Sequence, residues 1–237
     1  MTLAVVIPTL NEEATLPRLL ASLRAQSKRA ERIIVADGGS TDRTVVEACR
    51  GGAEVVAAPR RGRGGQVAVA VAQLTEEIGL VAHADMVLPP LALETVRRSL
   101  AEHPRCPGGC LGHRFDDSSL ALRVIEWWDR LRARLGGSYG DQAQFFRREL
   151  LQSVGGFPDQ PIMEDVELSL RLRSLGVPFY LDLPVTVSAR RFVRMKSWRV
   201  VWQNLMLRWC YRRRGLGSCA ELYERYYRAG GESGELV

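Results

Sequence analysis

The chain has 237 residues, 46% of them hydrophobic and 25% charged, with a formal net charge of +6. This composition excludes a disordered, collagen-like or disulfide-stapled protein and suits one α/β domain with an appended subdomain. The surplus is almost all arginine, since Lys28 and Lys196 are the only lysines; it fits an anionic partner such as a nucleotide, a phospholipid surface or nucleic acid, and fits a GC-rich coding genome equally well.

Ala4 to Pro8 is a short apolar run that predicts a buried parallel strand. Leu16, Leu19, Leu20 and Leu23 then make a helical stripe within Asn11 to Gln26. Arg32 to Ala36 predicts a second strand, and Thr41 to Arg50 a helix with Ser40 or Thr41 as N-cap. A third strand follows over Ala53 to Ala58, a helix over Gly64 to Glu77, and a fourth strand over Gly79 to Ala84. Alternation at this spacing predicts a parallel sheet of βαβ units, with ligands beyond the carboxyl ends of the strands.

The pattern changes after about residue 104. Gly108 to Phe115 and Gln142 to Phe146 read as strands, Ser119 to Leu135 and Met163 to Leu175 as helices, and Phe179 to Leu183 and Thr186 to Ala189 as extended. Lys196 to Arg214 and Ala220 to Tyr227 predict a helical tail. The expected organisation is one compact unit: a ligand-binding half over 1–104, a mixed half over 105–192, and the tail over 193–237.

Five cysteines, Cys49, Cys106, Cys110, Cys210 and Cys219, form no C-x-x-C pair, which reads as reduced thiols in the cytosol. Met1 to Leu10 lacks a basic leader and a small-residue cleavage site, and no apolar run reaches about 18 residues, so a cytoplasmic protein without a spanning helix is expected.

Six polar clusters carry candidate chemistry, each with a plain structural reading beside it. Pro8-Thr9-Leu10-Asn11-Glu12-Glu13 follows strand one; Asn11 could simply cap the next helix while the glutamates suit its dipole. Asp37-Gly38-Gly39-Ser40 is either a tight connection or a ligand loop whose carboxylate accepts the imide N–H of a pyrimidine or a ribose hydroxyl. Arg60 to Gln66 is a glycine- and arginine-rich loop opening a helix, suited to phosphate. His83-Ala84-Asp85 ends strand four; a strand-end carboxylate suits a divalent cation, while a surface pair is the duller option. Met163-Glu164-Asp165-Val166-Glu167 opens a helix with more acid than capping needs. Arg190 and Arg191 are either a diphosphate contact or a solvated turn.

Taken in order, these residues resemble family 2 glycosyltransferases of the GT-A fold. The resemblance spans about residues 3 to 192 through V-V-I-P-T-L-N-E-E (Val5 to Glu13), A-D-G-G-S-T-D (Ala36 to Asp42), H-A-D (His83 to Asp85), G-D-Q-A-Q-F-F-R-R (Gly140 to Arg148) and M-E-D-V-E-L (Met163 to Leu168). Within the family the chain looks most like the bacterial branch labelled radical-SAM/selenodomain-associated transferase.

The resemblance implies an inverting enzyme that moves a sugar from a nucleoside-diphosphate sugar, UDP-sugar favoured, to an acceptor hydroxyl. Pro8, Thr9 and Glu12 would line the nucleoside pocket, Asp37 with Gly38 would read the base, and Arg63 would lie near base or phosphate. Asp85 would hold Mn²⁺ or Mg²⁺, with His83 at the position where the family's D-x-D carries its first carboxylate. Imidazole is the poorer Mg²⁺ ligand but is acceptable to Mn²⁺. Arg190 and Arg191 would meet the departing diphosphate, Asp141 and Gln142 would line the donor–acceptor junction, and Asp165 would act as general base with Glu164 beside it.

The tail helix, with tryptophans on an apolar face and five arginines, has three readings: contact with the inner face of a membrane, packing on the core, or a homodimer contact. A nucleotidyltransferase would carry a G-x-G-x-R loop where this chain has P-T-L-N-E-E. A non-catalytic nucleotide-sugar binder would not need Asp85, Glu164 and Asp165 together. No helix-turn-helix, zinc finger or aromatic RNA platform accompanies the charge, so nucleic acid is not an expected partner.

Overall fold

The computed structural model describes the chain except residues 59–61, 136, 139, 191, 193–196, 220 and 225–237. Its centre is a seven-stranded sheet in the order β3-β2-β1-β4-β6-β5-β7. Strands β1 (Leu3–Thr9), β2 (Arg32–Asp37), β3 (Glu54–Ala57) and β4 (Ile78–Val81) are mutually parallel. β6 (Gln144–Arg147) runs antiparallel between β4 and β5 (Gly108–Phe115), and β7 (Phe179–Val187) pairs parallel with β5.

Every residue of β1 is buried, so the strand must satisfy two apolar layers at once. Successive side chains of a strand point to opposite faces. Leu3, Val5 and Ile7 accordingly join α1 (Leu16–Arg24), α2 (Thr44–Arg50) and α4 (Ala92–Glu102) on one side. Ala4 and Val6 join α3 (Arg63–Val71), α6 (Arg148–Ser153) and α7 (Glu164–Leu175) on the other. The remaining helices are α5 (Leu120–Arg134) and α8 (Ser197–Arg214). Leu207 and Tyr211 of α8 pack with Ile162 and Val166 at the start of α7, and the Tyr211 hydroxyl donates to Glu167 at 2.6 Å. One side of the tail helix is therefore packed on the core. Trp202, Leu205, Met206 and Trp209 stay exposed. Among the described residues no helix is long and apolar enough to cross a membrane.

Several expected boundaries move, each for a local reason. Helix α1 begins at Leu16 rather than Asn11, with Pro17 in its first turn, and Asn11 does not cap it: its Oδ1 accepts the Thr41 N–H at 2.9 Å. Helix α2 begins at Thr44, and neither Ser40 nor Thr41 is its cap, because the Ser40 hydroxyl is turned onto Asp37. Helix α3 stops at Val71, leaving Ala72 to Glu77 to turn the chain into β4 beside β1. Gln142, expected to open a strand, instead closes the 3-10 turn Gly140–Gln142, since Ala143 adopts a left-handed φ of 42° before β6 begins at Gln144. The two expected extended pieces near the end are one strand, β7, paired to β5 through a bulge between Leu111 and Gly112. Helices α4 and α6 lie in segments that sequence reading left unassigned.

Gly109 shows how tightly the second half is drawn together. A Cβ there would lie 2.0 Å from the Phe179 carbonyl oxygen, where β5 meets β7. Overpacking of this kind costs about 1–3 kcal/mol. Gly109→Ala is expected to lose about 3 kcal/mol in urea denaturation; an unchanged midpoint would contradict this packing.

Candidate functional site

The first two loops beyond the sheet are knitted by hydrogen bonds. Asp37, at the end of β2, accepts the backbone N–H groups of Gly39 (3.0 Å) and Ser40 (2.9 Å) on Oδ2, and the hydroxyls of Ser40 (2.5 Å) and Thr9 (3.3 Å) on Oδ1. A carboxylate offers about four acceptor positions, so all are used, two of them by hydroxyls that can rotate away for a ligand. Gly38 leaves the room that the Gln66 side chain occupies: a Cβ would lie 2.0 Å from Gln66 Nε2, which donates to the Thr9 carbonyl at 3.2 Å. Gln66 Oε1 is buried with no hydrogen-bond partner. Sequence reasoning quoted Gln66 only as the end of a loop; its signal was a polar residue on the buried face of an otherwise apolar helix.

Glu12 is buried and held from three directions. Its N–H donates to the Thr44 hydroxyl at 2.7 Å, its carboxylate accepts the Thr15 hydroxyl, and Arg190 approaches it at 3.4 Å. Burial raises its pKa, against the Thr15 hydrogen bond and the Arg190 charge, while the negative charge of Asp85 adds to the rise. Burial likewise raises Asp85, opposed by Arg190 and Arg63. Thus β1, β4 and the segment after β7 bring Glu12, Asp85 and Arg190 into one electrostatic neighbourhood, with Pro8 and Thr9 buried at the β1 end. Arg191, Arg60 and Arg61 lie outside the described residues.

The acidic start of α7 closes the same neighbourhood. Asp165 Oδ2 accepts the Gly140 N–H at 2.8 Å, and Oδ1 accepts the Val166 N–H at 2.8 Å. Gly140 in turn abuts His83: a Cβ on Gly140 would lie 2.6 Å from His83 Nε2 and 3.5 Å from Asp165 Oδ2. Glu164 is buried behind Asp165, 3.3 Å from Arg63 Nε, and its Oε2 has no hydrogen-bond partner. Burial pushes the Glu164 carboxyl up to about 7, against Arg63 and with help from the Asp165 charge. Among the described residues three that are not glycine have left-handed φ: Asn11, Ala143 and Met163. They adjoin Glu12, Gln142 and Glu164, and such strain clusters at functional sites.

Asp141 lies near enough to His83 and Asp85 for its charge to act on both. Gln142 has no exposed surface, and its Oε1 accepts Arg132 at 3.5 Å. Burial would raise Asp141, but His113, Arg132, Arg208 and His83 outweigh it and hold the carboxyl below the usual carboxylate range. Around it lies a buried group that sequence reasoning missed. His113 Nε2 is 3.7 Å from Asp129, which Arg132 clamps at 2.6 Å. The i, i+3 pair Asp129 and Arg132 within an amphipathic helix was the available signal, but helix periodicity alone does not tell a surface ion pair from an inward one.

A hard divalent cation takes one or two protein oxygens and completes its shell with phosphate and water. Asp85 fits that role: β4 ends at Val81 rather than Ala84, and Asp85 stands in the turn that follows, under the influence of Arg63 and Arg190, groups suited to the phosphates that would share the ion. His83 is neutral, its pKa pushed down to about 3 by burial with the Arg63 charge adding. Its Nε2 has no hydrogen-bond partner, but it is covered by Gly140. Among the described residues one three-donor group has the spacing for a metal, His113, Asp129 and Asp141, with donor atoms within 4.8 Å of one another. Arg132 already engages Asp129 there.

A mostly parallel sheet with polar strand ends, joined to a mixed half through an antiparallel strand, is the GT-A glycosyltransferase fold. The profile of glycosyl transferase family 2 matches residues 4–151. The chain belongs to that family and is a glycosyltransferase. Uncharacterized glycosyltransferase Rv0539 of Mycobacterium tuberculosis is 43% identical over 187 residues, covering 74% of this chain and 84% of that protein. The crystal structure of S. aureus TarS 1-349 in complex with UDP-GlcNAc superposes with a TM-score of 0.63 at 20% identity, over 79% of this chain and 58% of that one. Glucosyl-3-phosphoglycerate synthase from Mycobacterium tuberculosis in complex with Mg²⁺ and UDP gives 0.60 at 24%, over 78% and 70%. This chain spans 37% of the longer TarS chain, which it matches with a TM-score of 0.66 at 19% identity, over 79% of its own length.

Glu164 links the site to stability. A carboxyl raised from 4.5 to about 7 in the folded state binds its proton more tightly folded than unfolded. Its stabilising contribution is complete below pH 4.5 and is lost as pH rises through 7. Glu164→Gln is expected to flatten the fall of the thermal midpoint between pH 4.5 and 7.5. An identical pH profile in the variant would contradict the raised pKa.

Proposed function

We propose that the chain is an inverting glycosyltransferase that moves a sugar from a nucleoside-diphosphate sugar, with UDP-sugars favoured, to an acceptor hydroxyl. The observation that carries this reading is the meeting of Asp165, Gly140 and His83 beside Asp85, Arg63 and Arg190: a partly exposed carboxylate next to a cationic cradle. Two neighbours of the same fold were crystallised with UDP-GlcNAc and with Mg²⁺ and UDP, which supports this class of donor. Residues 1–104 would hold the donor, 105–192 would orient the acceptor and 193–237 would form the tail.

In this reading Pro8, Thr9 and Glu12 border the nucleoside, with Glu12 toward the ribose. Asp37 and Gly38 meet the base once the Thr9 and Ser40 hydroxyls rotate off the carboxylate. Arg63 and Arg190, with Arg191, offset the charge that grows on the departing diphosphate, the kind of preorganised stabilisation that dominates such reactions. Asp85 would hold Mn²⁺ or Mg²⁺, with His83 as the weaker second donor; the bound ion would supply Lewis-acid stabilisation of diphosphate charge. Asp165 takes the proton of the acceptor hydroxyl as that oxygen attacks the anomeric carbon from the face opposite the leaving group. The Gly140 N–H holds the Asp165 carboxylate in orientation, and buried Glu164, paired with Arg63, shapes its field. Asp141 and Gln142 brace the acceptor wall from behind.

The H-A-D and M-E-D-V-E-L motifs support placing the chain in the radical-SAM/selenodomain-associated branch. For the tail, a cytoplasmic location with peripheral contact at the inner membrane face is the reading carried forward, and a homodimer contact is its alternative.

Base catalysis contributes about 10²- to 10⁴-fold. Asp165→Asn is expected to lower turnover by that factor, measured as UDP release from the accepted donor, with the UDP-induced thermal shift unchanged. Asp85→Asn is expected to lose the part of that shift that depends on Mn²⁺. Near-normal turnover in the first variant would remove Asp165 as the base; a full Mn²⁺-dependent shift in the second would remove Asp85 as the ligand.

A further inference from the structure

A surface outside the donor cleft is the most unusual part of this protein. Trp127, Trp128, Trp202 and Trp209, four of its five tryptophans, are at least half exposed, at 61%, 60%, 60% and 50%. Contiguous exposed apolar surface on such a scale marks an interaction site. Between α5 and α8 it folds into a groove of about 660 Å³. Its walls are Trp128, Leu131 and Leu135 from α5 and Leu205, Met206 and Trp209 from α8. That volume lies within the range of pockets that enclose small ligands, roughly 300–1,000 Å³.

Charge indicates the occupant. Helices α5 and α8 together carry nine arginines against one glutamate and one aspartate, a surplus of seven, whereas the whole chain has +6. Asp182 pairs with Arg130 and Arg134, and Glu221 with Arg214, which leaves a positive surplus of five on the two helices that expose Trp127, Trp128, Trp202 and Trp209. Both acids of α5 are engaged locally: Glu126 accepts the Phe115 N–H and Arg123, and Asp129 is clamped by Arg132. Helix α8 contains no acid. A cationic surface with tryptophans is suited to amphiphiles of negative charge.

The groove also adjoins residues that neighbour the candidate site. Arg132 and Arg208 complete its lining. Arg132 contacts Gln142, and both guanidinium groups act on Asp141. Gly140, the next residue, contacts Asp165 and His83. An apolar chain lying between the helices would have its polar end directed at the wall where the acceptor is expected.

We propose that the α5–α8 groove binds the alkyl or isoprenoid chain of an anionic, lipid-linked acceptor and presents its head to Asp165. This rests on the glycosyltransferase reading given above and adds the acceptor class. A second copy of the chain would be the competing occupant, but the like charge of these helices would face itself across a two-fold interface.

The test uses the full chain with dodecyl phosphate and butyl phosphate as probes, titrated by tryptophan fluorescence below the micellar range. Dodecyl phosphate is expected to bind saturably and at least tenfold more tightly than butyl phosphate. The exposed-site variants Leu131→Asp and Leu205→Asp should lose that preference while keeping the UDP-induced thermal shift. Equal binding of the two phosphates, or a preference that survives both substitutions, overturns the proposal. So does a dimer in size-exclusion chromatography that Leu131→Asp dissociates without changing dodecyl phosphate binding. Absence of a UDP shift in the unsubstituted chain would count against the donor reading alone, since the alkyl phosphate titration is independent of it.

Discussion

The contact of Asp165 with the Gly140 N–H is the junction on which the candidate site depends. Asp165 opens α7, Gly140 sits in the 3-10 turn before β6, and Gly140 is pressed on His83 from the end of β4. Three chain segments, more than 50 residues apart at their extremes, are held there within contact distance. Only glycine fits between the imidazole and the carboxylate. A side chain at position 140 would press on His83, two residues before Asp85.

Around that junction, burial and charge work against each other in a consistent way. Glu12, Asp85 and Glu164 are all raised by burial, and each is partly compensated by a guanidinium: Arg190, Arg190 with Arg63, and Arg63 respectively. A buried carboxylate is costly without such a partner. The cations that make these acids tolerable are the ones suited to a diphosphate. Ligand binding would therefore exchange intramolecular ion pairs for intermolecular ones, without the need to recruit new charge.

The tail helix combines two behaviours. Leu207 and Tyr211 anchor it to α7, next to the acids, while its Trp202 and Trp209 are exposed, as are Trp127 and Trp128 of α5. Anchoring an exposed apolar surface rigidly to the catalytic half gives that surface a fixed orientation relative to the cleft. Preorganisation of this kind limits the ordering cost of binding.

The alternation of short apolar runs with helical stripes was enough to read the parallel half of the sheet, because hydrophobic periodicity is local and β1 and β4 at its centre are buried on both faces. The strand-end clusters were legible for the same reason: an apolar run must end somewhere, and Asp37 and Asp85 stand where it does. What the order of residues did not reveal is set by contacts between distant segments. Asn11 and Ser40 look like caps, and become cross-loop ligands only when β1 and β2 lie side by side. His113, Asp129 and Arg132 look like surface polar residues until β5 and α5 bury them. Gln142 reads as strand until Ala143 turns left-handed. The α5–α8 groove exists in no local pattern, since two amphipathic helices each have an apolar face. Only packing decides which part of it meets the core and which is left open.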